Sequence, residues 1–201
     1  MFMKDDQPPL FNALRTHLGG DIAAALPILL NGLPASSIDE LVSLAERLEQ
    51  KRAWSLVFPT WIELIRRFQA VECPERESYF WNDLGLGLLH VGDRRAAQCF
   101  KKALSLTSSP GRKMRTIFRL ALYHVWLLRD WDRAAQFFQA GIVLGDRRGC
   151  NPLHVQQAKM HLQEIELDRR GMSVEFAQAR WNIEQGRMAC SAQMAKLELP
   201  C

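Results

Sequence analysis

The 201-residue chain is 48% hydrophobic and 24% charged, with 12 glycines and 9 prolines. This composition excludes a wholly disordered, collagenous or purely coiled-coil chain, and the length suffices for one sizeable core or a short array of repeats. The net charge of +4 is too small an excess to mark a nucleic-acid binder by itself.

Residues 1–9 read as a flexible tail. Their two acids and two prolines stand where a signal peptide needs an apolar stretch, so export by that route is not expected. From Leu10 onward the periodicity is helical and hairpin-turn signals are absent. Ser37-Ile38-Asp39-Glu40 is a capping box, followed by Leu41, Val42, Ala45 and Leu48 on one face. Trp54, Val57, Phe58, Trp61, Ile65 and Phe68 form the next stripe, and Pro59 inside it predicts a kink or break. Cys73-Pro74-Glu75 opens another helix, Gly92 closes it and Asp93 is placed to cap its successor. Asp130 begins a helix ending near Gly145; Asn151-Pro152 begins the next, which Gly171 closes, and Ser173 is placed to cap the last.

Five cysteines, Cys73, Cys99, Cys150, Cys190 and Cys201, are odd in number and include no C-x-x-C pair. Reduced thiols and a cytoplasmic location are the expectation. The apolar run from Ile117 to Leu128 contains Arg119 and His124 and is too short and polar to span a bilayer.

An internal repeat organises the centre of the chain. Arg95-Ala96-Ala97-Gln98-Cys99-Phe100 returns 38 residues later as Arg133-Ala134-Ala135-Gln136-Phe137-Phe138. Leu86-Gly87-Leu88-Leu89-His90-Val91 returns 34 residues later as Leu120-Ala121-Leu122-Tyr123-His124-Val125. Periods of this size indicate stacked helical hairpins. Ala96, Phe100 and Ala103 share one face, small residues admitting a neighbouring helix and Phe100 filling the gap; Ala134, Phe138 and Gly141 repeat the arrangement. Trp54, Phe58 and Trp61 keep the spacing as a degenerate third copy.

Trp81, Leu84-Gly85, Gly92-Asp93, Ala96, Phe100, Ala103 and Pro110 together resemble the tetratricopeptide repeat. The stretch after Gly92 is one residue short of the family spacing, Pro110 comes late, and the second copy has Arg129 in place of the turn glycine. The resemblance implies an all-α fold of antiparallel helical hairpins stacked as a short α-solenoid. The chain then divides into the flexible tail at 1–9, N-terminal helices with the degenerate repeat at 10–72, two tetratricopeptide-like repeats at 73–145 and C-terminal helices at 146–201 that pack on or cap the stack. The resemblance also implies a cytoplasmic binding scaffold (adaptor, chaperone or regulatory subunit) holding a peptide or helical segment of another protein. The first helices of the hairpins would line the groove, with Tyr79, Asn82, Leu86, Leu89 and His90 from one copy. Thr116 and Tyr123 face it in both registers the second copy allows, and Lys113, Arg119, His124 and Trp126 in only one.

Other chemistries have less support. No nucleophile motif, Gly-rich phosphate loop or dinucleotide fingerprint occurs, so neither catalysis nor a cofactor is expected. His90 with His124, and Cys150 with His154 and His161, are weighed as metal ligands and read better as packing residues. Arg112, Lys113, Arg115 and Arg119 cluster at one helix start, with Arg147-Arg148 and Arg169-Arg170 elsewhere. Nucleic-acid association through that rim is the alternative function. The final helix, about 174–196, carries two apolar stripes, fitting either packing on the preceding hairpin or pairing with a second copy of the chain as a homodimer.

Overall fold

The computed structural model describes Leu14 and residues 22–169. These residues form eight α-helices with no strand among them. The tail expected at 1–9 and the final helix expected at 174–196, with Gly171 and Ser173 before it, lie outside the described residues. The described chain divides into two compact units after Glu72. Among the described residues, no helix is long and apolar enough to cross a membrane.

In the first unit, α1 (Ile22–Gly32) runs into a 3-10 turn at Leu33–Ala35, followed by α2 (Ile38–Gln50) and α3 (Trp54–Ala70). The capping box closes in both directions. Glu40 N–H donates to Ser37 Oγ at 3.3 Å, and Ser37 N–H donates to Glu40 Oε2 at 2.7 Å. The break expected at Pro59 does not occur: α3 continues through it. An aromatic ladder of Trp54, Phe58 and Trp61, with ring centroids 6.0 and 5.9 Å apart, braces the helix on both sides of the proline. Arg67 ties α3 to the 3-10 turn by donating to the carbonyls of Leu33, Pro34 and Ser36.

The second unit comprises α4 (Pro74–His90), α5 (Ala96–Leu106), α6 (Pro110–Tyr123), a π turn (His124–Leu128), α7 (Trp131–Arg148) and α8 (Pro152–Arg169). Proline opens α4, α6 and α8, where its missing N–H forfeits no intrahelical bond. Asp93 folds onto its own turn, accepting from Arg95 N–H at 2.8 Å and holding the Arg95 guanidinium at 2.7 Å. Asp130 caps α7 by accepting from Arg133 N–H at 3.0 Å. Asn151 caps α8 by accepting from Leu153 N–H at 3.0 Å.

Left-handed residues end the helices. Gly92 (φ 76°) closes α4, with Asp93 N–H donating to Leu88 O at 2.8 Å. Gly149 (φ 60°) closes α7, with Cys150 N–H donating to Gly145 O at 3.0 Å. The helix expected to stop near Gly145 therefore runs to Arg148. Gly145 serves packing instead: a Cβ there would lie 2.6 Å from Val155 and 2.7 Å from the Met114 sulfur.

Contacts across the helix pairs fix their directions. Ser78, early in α4, donates to Ala103 O, late in α5, at 2.8 Å. Gly85 meets Phe100 midway. Phe118 lies on Gly141, and Met114 on Gly145, so α6 and α7 are also antiparallel. α8 returns along α7, with Val155 on Gly145 and His161 stacked on Phe138 at 5.4 Å. Phe100 and Phe138 are fully buried, each such ring contributing about 1.5–3 kcal/mol of transfer free energy.

The π turn adds one residue to the first helix of the second copy. Gly92 follows Pro74 by 18 residues, whereas Arg129 follows Pro110 by 19. A π turn accommodates one extra residue by closing i to i+5 bonds. Arg129 then takes the left-handed conformation (φ 54°) that glycine takes in the first copy.

Candidate functional site

α4 and α6 lie side by side and run in the same direction, joined by two arginines of α6. Arg119 donates to Asn82 O and Asp83 Oδ1, each at 2.9 Å, with both charged side chains largely buried. Arg112 donates to the Glu75 main-chain carbonyl and to Glu75 Oε2. Glu75 also accepts from Thr107 Oγ1 at 2.7 Å, and from Ser108 N–H and Oγ at 2.7 and 2.8 Å. These bonds, the Thr107 hydroxyl foremost, pull its carboxyl down to about 2. The first turns of α4 and α6 and the α5–α6 connection are thereby locked into one frame.

Between the helices this frame leaves a cleft of about 250 Å³, lined by Ser78, Tyr79, Asn82, Gly111, Arg112, Arg115 and Thr116. Gly111 adds no side chain to the lining, and a Cβ there would meet nothing within 4 Å. Ser78 and Thr116 already donate their hydroxyl protons, to Ala103 O and Arg112 O. Asn82 is only 6% exposed, and its carboxamide oxygen has no hydrogen-bond partner among the described residues. Arg115 is exposed and forms no ion pair with another described residue. Tyr79 is 40% exposed, its ring edge-on to Phe80.

Of the expected groove residues, the structure brings Tyr79, Asn82 and Thr116 to this cleft, with Arg119 on the same helix pair. Thr116 (1% exposed), Tyr123 (7%) and Leu89 are buried. Leu86 and Lys113 are half-buried outside the cleft lining. His90 lies at the other end of α4, 5.8 Å from Trp126 of the π turn. Gly111 and Ser78 were missed as site residues, and Arg115 entered the reading only through the basic cluster. The signal for it was present: Gly111, Arg115 and Arg119 recur at steps of four, one helical face.

Other chemistries find little purchase. Among the described residues, no group of three or more His, Cys, Asp and Glu side chains is placed to hold a metal. His124 contacts Tyr123 and Phe137, and burial lowers its pKa despite Asp130 Oδ2 at 3.6 Å. His161 bonds Glu164 at 3.0 Å. Cys99 is fully buried, and burial pushes its thiol up to about 12, leaving no thiolate to act as a nucleophile.

No protein-family model matches the chain, and neither a curated protein nor a solved structure matches it at a significant level.

Proposed function

We propose that the second unit is a short tetratricopeptide-like stack of helical hairpins, and that the chain is a non-catalytic protein-interaction module: an adaptor, chaperone or regulatory subunit. Antiparallel pairing within α4–α5 and α6–α7, with α4 parallel to α6, supports the stacked arrangement. The observation that carries the binding role is the cleft between α4 and α6, where the buried Asn82 oxygen lacks a partner among the described residues and shares the lining with Arg115, which forms no ion pair with a described residue. Buried polar groups are rarely left unsatisfied unless something else meets them.

The mechanism is preorganisation. Arg112 and Arg119 clamp the walls before any partner arrives, so binding costs mainly the partner's own conformational freedom. The same ion pairs occupy two of the four cations in the basic cluster. What remains suits a single acidic group better than a polyanion, which favours a protein partner over nucleic acid.

Photo-crosslinking tests this reading. With Tyr79 replaced by p-benzoylphenylalanine, one discrete protein should be captured in cells, and the same replacement at exposed Val143 on α7 should not capture it. Equal capture from both positions, or recovery of nucleic acid alone, would contradict it.

A further inference from the structure

We propose that the α4–α6 cleft receives an acidic side chain carried on an extended peptide segment. Its carboxylate faces the Arg115 guanidinium, and a main-chain N–H of the segment donates to the Asn82 carboxamide oxygen. This inference rests on the protein-interaction reading and narrows it from any peptide or helical segment to one chemical class.

Size excludes a helix. The cleft, about 250 Å³, falls below the range of roughly 300–1,000 Å³ usual for drug-sized ligands. A helix about 10–12 Å across does not enter such a space. One side chain with its adjoining peptide group does.

Charge selects an acid. Arg112 is held by Glu75 and Arg119 by Asp83, so neither guanidinium is available without breaking a tie between the helices. Arg115 lines the same cleft with no ion pair to a described residue. The first turn of α6 contributes Gly111 and Arg112 to the wall and contains no acidic residue. Its helix dipole therefore also favours an anion there.

Hydrogen bonding selects a peptide over a bare anion. The Ser78 and Thr116 hydroxyls have spent their protons on main-chain carbonyls. The unmet Asn82 oxygen, 94% withdrawn from solvent with its residue, needs a donor. Acetate or inorganic phosphate would engage Arg115 yet leave that oxygen unsatisfied, or nearly so. A glutamyl or aspartyl residue in an extended segment supplies both the carboxylate and the N–H.

The test is an NMR titration of the isotopically labelled full chain with N-acetyl-Gly-Glu-Gly-amide. Three parallel probes are its Gln counterpart, its counterpart methylated on the Glu nitrogen, and sodium acetate. The Glu peptide should give saturable shifts at the Asn82 side-chain amide and the Arg115 Nε–H. The Gln and N-methyl probes, and the Glu peptide on the R115Q variant, should bind roughly tenfold or more weakly, each lacking one charge-assisted or main-chain bond. Arg115 is exposed, and an otherwise unchanged spectrum verifies the fold of the variant. Acetate binding as well as the Glu peptide would reduce the cleft to a simple anion site. Equal binding of the Gln probe would remove the role of charge. Absence of shifts at both residues at saturating probe would overturn the proposal outright. A partner crosslinked from position 79 without any response to the tripeptide would sink this inference and leave the interaction reading standing.

Discussion

Gly85 of α4 sits so close to the Phe100 ring of α5 that a Cβ on the glycine would lie 2.6 Å from the nearest ring carbon. Phe100 is completely buried and has no free space to retreat into. Small-to-large changes in such a core cost about 1–3 kcal/mol, and alanine in a helix interior recovers about 1 kcal/mol over glycine. Gly85→Ala is therefore expected to lose up to about 2 kcal/mol net in urea unfolding. Gly111→Ala, whose Cβ meets nothing, is the control and should be neutral or slightly stabilising. Equal stability of the two variants would show that the α4–α5 contact is looser than described.

The Arg119–Asp83 pair is expected to be the strongest single tie between α4 and α6. Its side chains are 16% and 13% exposed, so Arg119→Ala strands a largely buried carboxylate and should cost about 2–4 kcal/mol. A double-mutant cycle with Asp83→Asn should give a coupling energy of about 1–2 kcal/mol. Coupling near zero would mean that the helices are held by apolar packing alone.

Glu75 makes stability fall in acid. Its folded pKa, about 2, lies below its ordinary value of 4.5. The stabilisation is thus present above about 4.5 and is lost as pH falls toward 2. The Glu75→Gln variant should lose about 1 kcal/mol at neutral pH, the bonds being partly solvated. Its stability should also decline less steeply than that of the parent between those two pH values. Parallel pH profiles would contradict the hub assigned to this carboxylate.

His124 acts in the neighbouring pH range. Burial lowers its pKa from 6.5, opposed by Asp130 and reinforced by Arg133 and Lys101. The unfolded chain therefore binds the proton more readily, and stability drops as pH falls below about 6.5. In His124→Phe the melting temperature should depend less on pH between neutrality and mild acid than in the parent.

Local chemistry in the sequence identified the capping box, the helix-opening Pro74 and Pro152 and the turn at Gly92, because each is settled within a few residues; Pro110, read as part of a turn, also opens a helix. Pro59 does not end its helix, so of the expected kink or break the break is absent. Gly145 misled: its missing side chain admits Val155 and Met114, and Gly149 supplies the cap.

The resemblance placed Thr116 and Tyr123 on the groove face of the second copy but carried no measure of depth, and both are buried. The pairing of Arg112 with Glu75 and of Arg119 with Asp83 spans 37 and 36 residues. No local pattern distinguishes those two arginines from Arg115, which forms no ion pair with a described residue. The unmet Asn82 oxygen is a purely tertiary fact.

Hydroxyl-radical footprinting of the chain with and without its crosslinked partner tests the central claim most directly. Tyr79 on the cleft and Met160 on α8 are both exposed and oxidisable. Protection of Tyr79 with unchanged labelling of Met160 is the predicted result. Unchanged labelling of Tyr79 in the complex would place the partner elsewhere and contradict the assignment of the α4–α6 cleft as the binding site.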